Sequence, residues 1–178
     1  MRLKAQTIRI VLFGISLFML CTSVSCNKTD DDVIPTGDHT FSCYINGEFF
    51  VPKGNIGSIP YNDGLSFLRN EYFESEYFRI EARNTTKNIT VYFSILDFSI
   101  DTFNLTESNG LFDPSDPNDI NHAIVRINGI KYLSKENSGT VTFTVVTDTH
   151  VKGTFEFTLY NENDESDVIH ITHGNFDD

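Results

Sequence analysis

The segment GTFEFTLY, Gly153 to Tyr160, alternates without a break. Phe155, Phe157 and Leu159 fall on one side, and Thr154, Glu156 and Thr158 on the other. A period of two marks a strand with one face in a core and the other in water. The pattern recurs on both sides of it. GTVTFTVV (139–146) sets Val141, Phe143 and Val145 against Thr140, Thr142 and Thr144, and DVIHITHG (167–174) sets Ile169 and Ile171 against His170 and Thr172. Farther upstream, YFRIEAR (77–83) points Phe78, Ile80 and Ala82 inward, and NITVYFSI (88–95) points Ile89, Val91, Phe93 and Ile95 inward. Strands that keep one polar face belong to antiparallel sheets. Two such sheets packed on their apolar faces close a core. The expected fold is all-β, an antiparallel β-sandwich-like single domain.

The punctuation agrees. Asn46-Gly47 and Asn128-Gly129 are hairpin dipeptides, because both residues accept the positive φ of a type I′ turn. NTTKN (84–88) and NENDES (161–166) read as polar connectors. LSFLRNEYF (65–73) places Leu65, Leu68 and Tyr72 at helical spacing, but its aromatics suit a strand, and a strand is expected. NGLFDPSDPNDINH (109–122) is the longest irregular stretch, since two prolines and repeated Asp and Asn stop both helix and strand. CYINGEFFVP (43–52) echoes VRINGIKYLS (125–134); the reading given to this echo is one hairpin chemistry used twice, with a duplicated sheet as the alternative.

The N-terminus is of another kind. Arg2, Lys4 and Arg9 precede an apolar run, Ile10 to Cys21, of 12 residues. As a helix that run is roughly 18 Å long, short of the about 20 residues a membrane span needs. Basic start, short apolar core and small residues make a secretory signal. Its end, Ser23-Val24-Ser25-Cys26, resembles the lipobox of bacterial lipoproteins, with Ser23 standing where Leu is usual. The resemblance implies cleavage before Cys26 and a diacylglycerol on its sulfur, a covalent lipid rather than a cofactor. The following NKTDDD, with Lys28, Asp30, Asp31 and Asp32, resembles the surface-export signal of Bacteroidota lipoproteins. That implies the outer membrane, lipid-anchored, on the cell surface. The expected layout is a signal at 1–25, an acylated cysteine and acidic tether at 26–38, and the β domain at 39–178.

Without residues 1–25 the chain loses three positive charges, taking the formal net charge of −12 to −15. Such a field repels phosphate backbones and excludes nucleic acid as a partner. Cys43 is then the sole cysteine besides the anchor, and its alternating context FSCYI makes it a buried small hydrophobe.

SGTVTFTVV, VKGTFEFTLYN and IHITHGNFD at the C-terminal end, with FSCYINGEFFVPKG (41–54) near the start, resemble uncharacterised Bacteroidota lipoproteins of unknown function. The likeness skips residues 55–120. It implies fold and address and brings no catalytic residue.

No constellation for catalysis stands out. G-x-S-x-G, a phosphate loop and G-x-G-x-x-G do not occur. His170 and His173 have H-x-x-H spacing, but an offset of three on a strand points them to opposite faces, and no metal site is assigned. Asp113, Asp116, Asn118 and Asp119 offer oxygens for calcium without the glycine and terminal glutamate of an EF-hand, so a solvated turn is expected. Tyr44, Tyr61, Tyr72, Tyr77, Tyr92 and Tyr132 are the aromatic candidates for stacking on a sugar. The expected function is a non-catalytic binding or adhesion module for a glycan or protein; the alternative is a hydrolase of surface polymers or glycans.

Overall fold

The computed structural model describes residues 34–54, 64–72, 75–112 and 120–178. Cys26, Lys28, Asp30, Asp31 and Asp32 lie outside the described residues, as do Tyr61 and the loop residues Asp113, Asp116, Asn118 and Asp119. Ile34–Asp178 forms one compact unit. Its regular elements, among the described residues, are all strands: β1 Thr40–Ile45, β2 Glu48–Phe50, β3 Leu65–Tyr72, β4 Ser75–Asn84, β5 Ile89–Leu96, β6 Thr102–Asn104, β7 His122–Ile127, β8 Ile130–Leu133, β9 Gly139–Val146, β10 Val151–Asn161 and β11 Asp164–Asp177. The fold is all-β, and every strand pairing is antiparallel.

Hydrogen bonds join the strands in the order β2-β1-β11-β10-β8-β7-β5-β4-β3, with β9 beside β10 and β6 beside β9. The order repeats itself. The first half is a hairpin, β1-β2, and a three-strand meander, β3-β4-β5. The second is a hairpin, β7-β8, and a meander, β9-β10-β11. Each hairpin pairs with the last strand of the other half's meander: β1 with β11 and β7 with β5. Even the register corresponds, because Ile45 faces Ile171 as Ile127 faces Ile89. The echo between residues 43–52 and 125–134 is therefore the trace of a topology used twice, more than a shared turn chemistry. Both Asn-Gly turns take positive φ at both residues, as a type I′ hairpin demands.

All eleven strands belong to one antiparallel sheet that folds over on itself, so that its β3-β4-β5-β7-β8 part makes one layer and its β9-β10-β11-β1-β2 part the other. Phenylalanines bridge the layers. Phe78 of β4 meets Phe143 of β9 at 5.5 Å and Phe176 of β11 at 5.7 Å, and Phe93 of β5 meets Phe155 of β10 at 5.1 Å. These ring contacts are consistent with the expected sandwich-like packing of apolar inner faces, though one continuous sheet supplies both faces rather than two separate sheets. The layers are also joined at their corners. β8 meets the end of β10 through Tyr160 and Asn161. The chain leaving β2 meets the end of β4: Lys53 N–H donates to the Arg83 carbonyl (2.8 Å), and Thr85 N–H to the Lys53 carbonyl (3.0 Å). The buried Asn84 amide seals that seam by donating to the Val51 carbonyl at 2.9 Å.

Glycine makes room for the rings. Across β10 and β11, Gly153 faces Phe176 and Phe155 faces Gly174; across β9 and β10, Gly139 faces Phe157. A Cβ on Gly153 would fall 2.5 Å from the Phe176 ring, one on Gly174 2.6 Å from the Phe155 ring, and one on Gly139 2.8 Å from that of Phe157. Each ring thus lies on the backbone of its cross-strand glycine, a pairing that fills the space the glycine leaves bare.

Three details differ from the expectation. NENDES is mostly strand: β10 runs to Asn161 and β11 starts at Asp164. A register shift between Lys152 and Gly153 pairs Val146, not Val145, with the buried Val151. A bulge at Thr172–His173 adds a residue to β11 relative to both its neighbours, and His173 takes a φ of 52° there.

Gly153→Ala and Gly174→Ala should each lower unfolding stability by about 1–3 kcal/mol, the usual cost of overpacking. Urea denaturation monitored by far-UV circular dichroism would measure it. A neutral or stabilising effect would show that the rings move aside freely.

Candidate functional site

The two outer faces of the layers are treated differently. Over β5 and β7, the segment from Leu105 to Phe112 lies on the sheet. Ser108 N–H donates to the Ser134 carbonyl (2.9 Å), and the Ser134 hydroxyl donates back to the Thr106 carbonyl (2.8 Å). Tyr92, Ile124 and His122, which point outward, are thereby buried, and Phe112 meets the Tyr92 ring at 5.2 Å.

Among the described residues nothing lies across the outer face of β9, β10 and β11, and Thr154, Glu156, His173 and Asn175 are exposed there. Strand alternation sets the occupants, and register aligns them. Thr142, Thr154 and Asn175 form one row across three strands, extended by Thr102, whose hydroxyl shares a hydrogen bond with that of Thr142 at 2.9 Å. A second row begins with Thr140 opposite Glu156 and continues through the Thr172–His173 bulge to Tyr44 and Phe49. With strands about 4.8 Å apart, this row is roughly 19 Å wide. At its far end three rings cluster: Tyr44 lies 5.3 Å from Phe49 and 5.8 Å from His173. Thr140, Thr142, Thr154, Glu156, His173 and Asn175 of these rows line an open trough of about 480 Å³, floored by Phe155 and Gly174 and rimmed by Ile34, with the Tyr44–Phe49 rings beyond its His173 end.

The bulge shapes this face. It bends β11 and turns His173 out beside Tyr44. His170 and His173 consequently both lie exposed on the outer side, not on opposite faces as a regular strand would place them. They are engaged separately. His170 Nδ1 shares a hydrogen bond with the Thr158 hydroxyl at 3.2 Å, while His173 packs on Tyr44.

Of the aromatic candidates among the described residues, Tyr44 alone lies beside the trough, against its lining residue His173. Tyr92 and Tyr132 are buried, one under the Leu105–Phe112 segment and the other with its hydroxyl donating to Asp167 Oδ2 at 3.0 Å. Tyr77 is half-buried on β4, and Tyr61 and the Tyr72 side chain lie outside the described residues. Sequence reasoning passed over Phe49, Thr142, Thr154, Glu156 and Asn175. The alternation of β9 and β10 already marked the threonines as outward, but their alignment depends on pairings between distant segments.

Chemically the trough offers hydroxyls and an amide that both donate and accept, an aromatic edge, and Glu156. Among the described residues that line it, Glu156 is the single carboxylate. No family model, curated protein or solved structure matches this chain.

Among the described residues, the two strongly shifted titratable groups are both buried, Cys43 in the core and His122 under the Leu105–Phe112 segment. Cys43 is fully buried, and burial pushes its thiol up to about 12, so it is a packing residue as expected. His122 is buried with Nδ1 2.9 Å from the Ser108 hydroxyl, and burial pushes its imidazole down to about 4. The pair resembles a nucleophile and base only in distance, because the Ser108 oxygen also accepts the Gly110 N–H at 3.2 Å inside a closed cluster.

His122 makes stability depend on pH. The unfolded imidazole, near 6.5, takes a proton before the folded one does, so acid favours unfolding. Its contribution is complete above about pH 6.5 and is lost as pH falls towards 4, amounting to about 3 kcal/mol. Urea midpoints of wild type and His122→Asn between pH 7 and pH 4.5 should diverge most at neutral pH. Parallel profiles would assign the acid sensitivity to the carboxylates alone.

Proposed function

We propose that this chain is a lipid-anchored surface protein whose β domain is a non-catalytic binding or adhesion module. The observation that carries the reading is the transverse row on the open outer face, from Thr140 and Glu156 through His173 to Tyr44 and Phe49. A hydroxyl-rich ligand such as a glycan suits it, since threonine hydroxyls and the Asn175 amide satisfy both donors and acceptors. The ring cluster supplies an apolar edge with a polar tip. A hydrolase of surface polymers calls for two carboxylates flanking the scissile bond, and the trough brings one, so binding is the function put forward.

A glycan and protein array probed with fragment 27–178 tests the reading. A hit should weaken about tenfold or more in Tyr44→Ala, the effect of removing an aromatic anchor. Thr154→Val should weaken it too, by removing a hydroxyl at nearly constant volume. Ligands whose binding ignores both substitutions would place the site elsewhere.

The address rests on the N-terminal sequence. Cys26 carries the lipid, and Lys28 with Asp30, Asp31 and Asp32 directs the protein across the outer membrane, following the resemblance to Bacteroidota surface lipoproteins. Like charges keep such a tether extended, and 12 residues span about 40 Å when stretched. Cys26→Ala should abolish labelling by a clickable palmitate. Replacing Asp30, Asp31 and Asp32 with Ala, with Cys26 intact, should protect the domain from protease added to whole cells while wild type is digested. Equal digestion of both would show that the acids are a spacer.

A further inference from the structure

A cluster that the trough does not use lies where the chain enters the domain. Asp38 precedes β1, His150 closes the turn between β9 and β10, and Asp177 ends β11. A carboxylate oxygen from each acid and a ring nitrogen of His150 lie within 4.8 Å of one another. Asp177 is the unusual member. It is nine-tenths buried, and its Oδ1 has no hydrogen-bond partner. A buried carboxylate oxygen left in that state carries a desolvation penalty that a partner would remove. Lys152 Nζ binds the other oxygen, Oδ2, at 2.7 Å and so fixes the carboxylate with Oδ1 turned to His150.

His150 Nε2 stands 3.1 Å from that oxygen, at ion-pair distance, without forming a hydrogen bond to it. Two ligands each about 2.0–2.1 Å from a tetrahedral ion sit about 3.3 Å apart. The separation is that of two groups sharing an ion. Asp38 is exposed at the edge of the cluster, with a carboxylate oxygen within 4.8 Å of the other two ligand atoms.

We propose that Asp38, His150 and Asp177 bind a divalent transition cation, zinc by their chemistry. Imidazole together with carboxylate suits zinc, whereas magnesium and calcium take oxygen ligands alone. Three protein ligands leave the fourth position to water. Lys152 acts as a positioning residue that orients the Asp177 carboxylate. The ion clasps the entry to β1 against the last strand and the β9–β10 turn, so that the end of the tether is pinned to the domain it carries. The acidic chain, at a formal net charge of −12, raises the local concentration of cations.

The test uses the full-length chain in detergent micelles, titrated with Zn²⁺ and, separately, with Co²⁺ as a spectroscopic probe. One equivalent of zinc should raise Tm, and Co²⁺ should develop visible ligand-field bands; Mg²⁺ and Ca²⁺ at the same concentration should do neither. His150→Gln and Asp38→Asn, whose side chains are not in the core, should weaken both metals by ~10-fold or more, at least the loss a disturbed outer shell produces. The His170→Gln/His173→Gln double variant should keep wild-type affinity. The cobalt spectrum reads affinity whatever the metal-free stability of the variants. Absence of a zinc-dependent rise in wild type, or wild-type affinity in His150→Gln and Asp38→Asn, overturns the site in favour of a plain Lys152–Asp177–His150 ion pair.

Discussion

Phenylalanine rings resting on cross-strand glycines decide how closely the layers of this domain approach. Phe155, Phe157 and Phe176 lie over Gly174, Gly139 and Gly153. Without those glycines the rings would stand off the sheet and the inner faces would not meet. With them, Phe155 reaches Phe93 and Phe176 reaches Phe78 from the opposite layer. Glycine in a strand is ordinarily a loss, since it packs nothing and orders a freer backbone. Here the loss is offset by the ring that the missing side chain admits.

The strand content was legible because it depends on neighbours in sequence. Alternation in GTFEFTLY gives the inner and outer faces of β10 residue by residue, with Phe155 and Phe157 buried and Thr154 and Glu156 exposed. The Asn-Gly turns were legible for the same reason. What depended on distant partners was not. Nothing in VPKG announces that Lys53 bridges to Arg83 and Thr85 and closes a seam. The extra residue at His173 breaks the period of two in a way that only the partners β1 and β10 reveal. Tyr92 sits at an outward position and is nevertheless buried, because a segment remote from it in sequence lies across that face.

The candidate site shows the same division. Each threonine could be assigned to the solvent side from its own strand, while the row they form required the order in which β9, β10, β11, β1 and β2 line up. The duplicated topology adds a contrast. The two halves share their pairings, yet one outer face is covered by the Leu105–Phe112 segment and the other is left as a trough. One scaffold, used twice, thus serves packing on one side and exposure on the other.

The pairing of β1 with β11 ties Thr40 to Asp177, nearly the two ends of the domain. Closing so long a loop is entropically slow, and contacts of this kind depress folding rates. The first hairpin has no strand to pair with until the last strand has been made. A nascent or secreted chain therefore cannot complete this core before β11 is released. For a protein proposed to cross a membrane on its way to the cell surface, a core that closes late lengthens the time in which the chain is still unfolded.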